Sequence, residues 1–278
     1  MNIFYITPSI IPSNKANTVH VINMAIALIK IGHNVNLFVQ SSCKKPNRYL
    51  SSDFGEMANL INVITYRPFC KRGVEFFIAL RAIFYYIGIE QNKLQSYVII
   101  SRNIFAACFF GILLSKKIVY ETHTIELGII RKSIQCLLLK KMCVETVVIS
   151  YALKNMLLSK YIHVSENIHV MHDAAFDDSP PFTRIIREKK RKEYFTFIND
   201  HFTYKYYAGY FGQLYAGRGI EIIENLARLN SSVLFLVYGG SEEDVLRFKM
   251  KNNMTNLIFM GHLPAKQIKS IMSVFKLQ

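Results

Sequence analysis

Acidic side chains are scarce in this chain: 19 Asp and Glu stand against 34 Lys and Arg, for a formal net charge of +15 over 278 residues. The imbalance is local, because residues 1–172 carry 19 of the basic and 8 of the acidic groups. Such a face suits a phosphorylated substrate, an anionic membrane surface or nucleic acid. No RNA- or DNA-binding signature accompanies it, so no nucleic-acid partner is expected. The five cysteines, Cys43, Cys70, Cys108, Cys136 and Cys143, lack metal-ligand spacing and are odd in number. They read as reduced thiols of a cytosolic protein, and neither a metal nor another cofactor is expected. The start lacks the basic and apolar regions of a signal peptide. Arg102 and Asn103 interrupt the apolar run 98–114, and Glu75 and Arg81 that of 74–89. Bilayer crossing needs about 20 uninterrupted apolar residues, so no transmembrane helix is expected. A G-x-G-x-x-G after the first strand is missing too, which disfavours a dinucleotide-dependent oxidoreductase.

What is present is an alternation of short apolar runs and helical periodicities, the pattern of a doubly wound α/β sheet. Strands are expected at 2–7 (closed by Pro8), 34–40, 60–66, 97–100, 117–120, 146–150 and 167–171, with helices between them and a polar loop over 41–56. Proline and charge take over after Asp173, in the solvated basic stretch 179–194. The expected division is a Rossmann-like lobe over 1–173, a connection over 174–205 and a second lobe over 206–278.

The most informative stretch is YYAGYFGQLYAGRGIEIIENLARL, 206–229. It reads as strand, glycine loop and helix, with Ile222, Leu226 and Leu229 on one helical face and Glu221, Glu224 and Arg228 on the other. A helix start presents unpaired N–H groups and the positive end of its dipole. Gly217 and Gly219 would let backbone approach a phosphate, and Arg218 would add a bidentate contact. An ordinary strand-to-helix turn with a solvated arginine is the alternative. In an open α/β sheet ligands gather at the carboxyl ends of strands, which singles out Glu121, His123 and Asp173. His123 is either a site residue or a helix cap. The helix expected over 126–142 carries Ile129, Ile130, Ile134 and Leu137–Leu139 beside Arg131, Lys132, Lys140 and Lys141. That composition suits either a core-and-solvent helix or a membrane-facing one.

The order and spacing of several stretches resemble the family 4 glycosyltransferases, retaining enzymes of GT-B fold, in particular members that build bacterial surface polysaccharide and O-antigen. The stretches are ITPSIIPSNKANTVHVINMAIALIKIGHNVNLF, IVYETH, ETVVISYALKNMLLSKY, IHVMHDAAFD, GYFGQLYAGRGIEIIENLA, LVYGG and NLIFMGHLP. The resemblance implies two Rossmann-like lobes, with a nucleotide-sugar held by the second and a lipid-linked saccharide acceptor by the first. It also implies metal-free retaining transfer at the cytoplasmic face of the inner membrane, with peripheral contact to anionic lipid. Residue by residue, it places Asn14 and Lys15 in a donor loop, beside Ser13 and Ala16, where the family often has two glycines. His123 falls on the histidine at the donor sugar, Gln213 and Arg218 on the diphosphate cations, and Gly239 and Gly240 on the glycines near the nucleotide. His123 and Arg218 are the expected catalytic pair. The family's paired glutamates would fall beyond Gln278, so the second lobe is expected to be incomplete. The alternative function is therefore an impaired product that keeps only acceptor or membrane binding. An exposed apolar patch at Ile268, Ile271 and Phe275, with self-association through it, is a further expectation.

Overall fold

The computed structural model describes residues 1–13, 15–41, 46–67, 73–90, 97–161, 167–173, 189, 192, 194, 204, 206–215, 217–263, 265–272 and 275. It forms two compact units, Met1–Phe176 and Asp177–Gln278.

In the first unit the elements run β1 (Asn2–Ile11), α1 (Ala16–Lys30), β2 (Asn34–Ser41), α2 (Pro46–Phe54), β3 (Asn62–Tyr66), α3 (Val74–Glu90) and β4 (Tyr97–Ser101). Then come α4 (Ile104–Ala107), β5 (Ile118–Thr122), α5 (Ile129–Lys140), β6 (Val144–Val148), α6 (Tyr151–Lys160) and β7 (Ile168–Val170). All seven strands are parallel, in the order β3-β2-β1-β4-β5-β6-β7. Successive side chains of β1 point to opposite faces. Phe4 and Ile6 join a core with Ile78, Phe110 and Tyr120, whereas Ile3 and Tyr5 pack with Val21, Ile22 and Leu37. Burial on both faces explains why these strands read as unbroken apolar runs.

Three expectations in this unit are corrected. β1 does not stop at Pro8 but continues to Ile11. Its pairing with β2 slips between Ile6 and Ile10, and a proline, which has no N–H to donate, is tolerated at such an irregularity. The stretch expected as a polar loop contains α2 and leads into a 3-10 turn, Glu56–Leu60, held because Leu50, Ala58 and Ile61 are buried in the α1-side core. β6 lies earlier than expected, and Ser150 is the N-cap of α6, its side chain accepting from Leu153 N.

The second unit contains β8 (Tyr206–Phe211), α7 (Ile220–Leu229), β9 (Val233–Tyr238), α8 (Glu242–Lys251), β10 (Leu257–Gly261) and α9 (Ala265–Met272). Its sheet is parallel, in the order β10-β9-β8. The expected apolar face of α7 is not the buried one, although Glu221 and Arg228 are exposed as expected. Ile220, Glu224 and Ala227 are buried, while Ile222, Leu226 and Leu229 are 63%, 41% and 79% exposed. Glu224 is tolerated inside because Asn252 Nδ2 donates to it at 2.6 Å and Lys251 Nζ lies at 3.5 Å. The expected patch at the chain's end is corrected as well. Ile268, Ile271 and Phe275 are half-buried. Ile271 and Phe275 pack on the sheet face formed by Leu234, Leu236 and Tyr238, apolar surface that would otherwise meet water.

Candidate functional site

The first cluster lies where the winding of the seven-stranded sheet reverses, at the carboxyl ends of β4 and β5 beside the middle of β1, the usual region for a ligand in such a sheet. Tyr5 comes from β1, Glu121 from β5, His123 from the residue just past β5, Arg102 from the residue after β4, and His20 from α1. Glu121, only 8% exposed, is the centre. His123 Nε2 donates to its Oε1 at 2.8 Å, and Tyr5 donates to Oε2 at 3.4 Å. Arg102 Nε and His20 Nε2 each stand 3.4 Å from Oε1. With Nε2–H committed to Glu121, the other ring nitrogen of His123 accepts from Arg102 Nη2 at 3.2 Å. Burial would raise the Glu121 pKa, but the hydrogen bond from His123, the His20 ring beside it and the Arg102 charge outweigh it and hold the carboxyl well below the usual range. The Tyr5 hydroxyl is pushed up by burial and by the Glu121 charge beside it.

Asp173 joins this cluster through His20, whose Nδ1 lies 3.5 Å from its Oδ1. Among the described residues, His20 Nε2 and Arg102 Nη1 are buried without a hydrogen-bond partner. The cluster opens onto a groove of about 800 Å³, lined by apolar side chains including Met24, Ala27, Val119, Val147 and Ile149 and by polar ones including Asn23, Glu145, His169 and His172. Ligand atoms of His20, His123 and Asp173 fall within 4.8 Å of one another. The guanidinium of Arg102 lies against the same His123 ring, and its charge opposes a divalent cation there.

Three of the sequence-selected residues, Glu121, His123 and Asp173, thus come together, and three partners were missed. Arg102 has the same strand-end position that singled out Glu121, so that signal was available. His20 and Tyr5 carried none, because an α1 residue and a central β1 tyrosine reach Glu121 only through the fold. Lys15 is exposed at the start of α1, where its backbone N–H donates to Ser13 Oγ. Asn14 lies outside the described residues.

The second cluster is the turn between β8 and α7. Gly217 and Gly219 are left-handed, with φ of 83° and 89°, and open space lies where a side chain would stand. No side chain caps α7. Gln213, Gly217 and Arg218 are exposed, and the Arg218 guanidinium lies over the Tyr215 ring with Nε donating to its hydroxyl. Gly239 and Gly240 have a packing reason of their own. A Cβ on Gly239 would stand 1.9 Å from the Gly212 carbonyl oxygen, and one on Gly240 would meet Leu214 at 2.6 Å.

No protein-family model matches this sequence, and no curated protein does. Solved structures do, at the level of fold, and that fold is the GT-B architecture of glycosyltransferases. The Anabaena protein HepE in complex with UDP superposes with a TM-score of 0.65 at 13% identity, over 99% of this chain and 72% of its own. WaaG, a glycosyltransferase of lipopolysaccharide biosynthesis, gives 0.61 at 12% identity, over 100% of this chain and 74% of its own. A UDP-GlcNAc 2-epimerase from Neisseria meningitidis gives 0.55 at 11% identity, over 98% of this chain and 75% of its own. Among the described residues no helix is long and apolar enough to cross a membrane.

Proposed function

We propose that this chain is a glycosyltransferase that moves a sugar, with retention, from a nucleotide-sugar to a lipid-linked saccharide in surface-polysaccharide synthesis. The acceptor is met in the cytoplasm at an anionic membrane. The observation that carries the reading is the exposed turn 217–219, where two left-handed glycines and an arginine lead into an uncapped helix start. Cleavage of the sugar–phosphate bond places negative charge on the departing diphosphate. Backbone N–H groups at the start of α7 and the Arg218 guanidinium, steadied by Tyr215, are fixed in advance to meet that charge. No metal is needed for this stabilisation. Likeness to a UDP-bound structure supports a nucleotide as the ligand.

In the first unit, His123 is a positioning residue, because both its ring nitrogens are taken by Glu121 and Arg102. The acceptor occupies the groove beside Glu121, where Met24, Ala27, Val119, Val147 and Ile149 suit the lipid end of such a substrate and Asn23, His169 and His172 its polar part. Removing Arg218 deletes a charge-assisted contact, so Arg218→Ala weakens UDP or GDP binding about tenfold or more. Calorimetric titration of both nucleotides against wild type and variant is the test, and equal affinities would sink the assignment. Incubation with UDP- and GDP-sugars separates transfer from epimerisation by the product released.

A further inference from the structure

Helix α5 buries Leu138 and Leu139 in the core and yet carries further large apolar side chains on its outer side. On its inner side the polar Gln135 is fully buried, accepting from Glu126 N and the Tyr161 hydroxyl at 2.9 Å each and donating to Thr124 O at 3.1 Å. Its outer side and flanks present aliphatic and thioether side chains to solvent. Leu127 is 78% exposed, Ile129 86%, Ile130 71%, Leu137 51% and Met142 85%. A helix of a soluble domain normally turns charged or polar side chains outward, and a cluster of large exposed apolar groups marks an interaction surface.

The charge around this surface selects the partner. Residues 127–142 contain Arg131, Lys132, Lys140 and Lys141 and no acidic residue. Arg131 is neutralised inside the unit by Glu126 and by Glu75, the latter at 2.7 Å, which leaves the three lysines to set the local field. Apolar side chains bordered by cations are the composition of a helix that lies in the interface of an anionic bilayer.

We infer that α5 and its flanks are a membrane-docking surface, with Leu127, Ile129, Ile130, Leu137 and Met142 entering the acyl boundary of an anionic bilayer and Lys132, Lys140 and Lys141 meeting its headgroups. The Gln135 hydrogen bonds tie this helix to the segment that carries His123. Docking therefore holds the Glu121 cluster close to the headgroup layer. This deepens the preceding proposal by naming the surface on which the acceptor is met, and rests on it only for the acceptor's identity.

The test uses the whole chain and phosphatidylcholine vesicles with and without phosphatidylglycerol, scored by co-sedimentation. The wild type binds the anionic vesicles, and Ile129→Ser/Ile130→Ser/Leu137→Ser lowers its partitioning at least about tenfold, since each buried aliphatic side chain contributes a substantial part of the transfer free energy. Lys140→Glu/Lys141→Glu removes the preference for anionic over neutral vesicles. These exposed positions leave the core intact, and unchanged circular dichroism of the variants checks it. Equal partitioning of wild type and triple variant overturns the inference. So does a wild-type dimer that the triple variant converts to monomer without any vesicle binding, because the surface is then a contact between two copies. Nucleotide affinity is measured on the same samples: its absence with vesicle binding intact sinks sugar transfer and leaves the docking surface standing.

Discussion

Glu121 shows why one buried carboxylate organises so many neighbours. Its charge, taken out of water, is stable only because Arg102, His123, His20 and Tyr5 surround it. Glu121→Gln keeps the size but removes the charge, and at neutral pH costs about 2 kcal/mol of unfolding free energy in urea titrations. The sign of the pH effect follows from its depressed pKa. The folded chain keeps Glu121 ionised where the unfolded chain takes up a proton, so its contribution is complete above the ordinary carboxylate range and is lost on acidification below about pH 5. Comparing urea midpoints from about pH 6 to about pH 4 should show wild type losing more stability than Glu121→Gln. An equal loss would mean that Glu121 is not held ionised by the fold. Strand-end position singles out Glu121 and His123 in the sequence, and the fold brings the two side chains together. That position says nothing of His123 having both nitrogens engaged, because tautomer and partner depend on where Arg102 points.

The elements of the second unit show where periodicity succeeds and where it misleads. A helix over α7 was legible from spacing, but the face it buries was not. Two nearly equivalent apolar stripes exist, and packing chose the one containing Ile220, Ile223 and Ala227. Glu224 is drawn inside with it, because Asn252 and Lys251 on the facing segment satisfy its carboxylate. Glu224→Ala is therefore expected to destabilise the fold by about 1–3 kcal/mol, by stranding Asn252, while Ile222→Ser changes stability by less than about 0.5 kcal/mol. Chemical denaturation of both variants checks the order, and the reverse order would restore the periodicity-based assignment. The carboxyl ends of β8 and β9 approach so closely that Gly239→Ala must push the Gly212 carbonyl aside and accept a φ of 119°. It should cost about 3 kcal/mol or more, seen as a lowered urea midpoint. Nucleotide affinity that falls without any loss of stability would return Gly239 to the binding role the resemblance implied.

For the molecule as a whole, charge and topology act at different ranges. The surplus of cations over residues 1–172 sets a field reaching about a Debye length, roughly 8 Å at physiological salt. Vesicle binding should therefore weaken as salt is raised, with the part contributed by apolar insertion at α5 remaining; binding indifferent to salt would remove charge from the account. Doubly wound topology has a second consequence, visible in the first unit. The helices following β4 and β5 pack on the face of Tyr120 and Ile118, which leaves the opposite face near Val119 and Val147 as the floor of the groove. The alternation of strands and helices, the phosphate-suited turn at 217–219 and the basic bias of the first half were determined by the sequence alone. Each is local, because backbone propensity, glycine conformation and summed charge need no knowledge of distant neighbours. The tertiary structure alone decided that Arg102, His20 and Tyr5 converge on Glu121, that α7 turns Ile222 outward, and that α5 buries Gln135 while exposing Ile129 and Ile130. Those outcomes depend on which groups, far apart in the chain, the sheet order brings within hydrogen-bonding and packing distance.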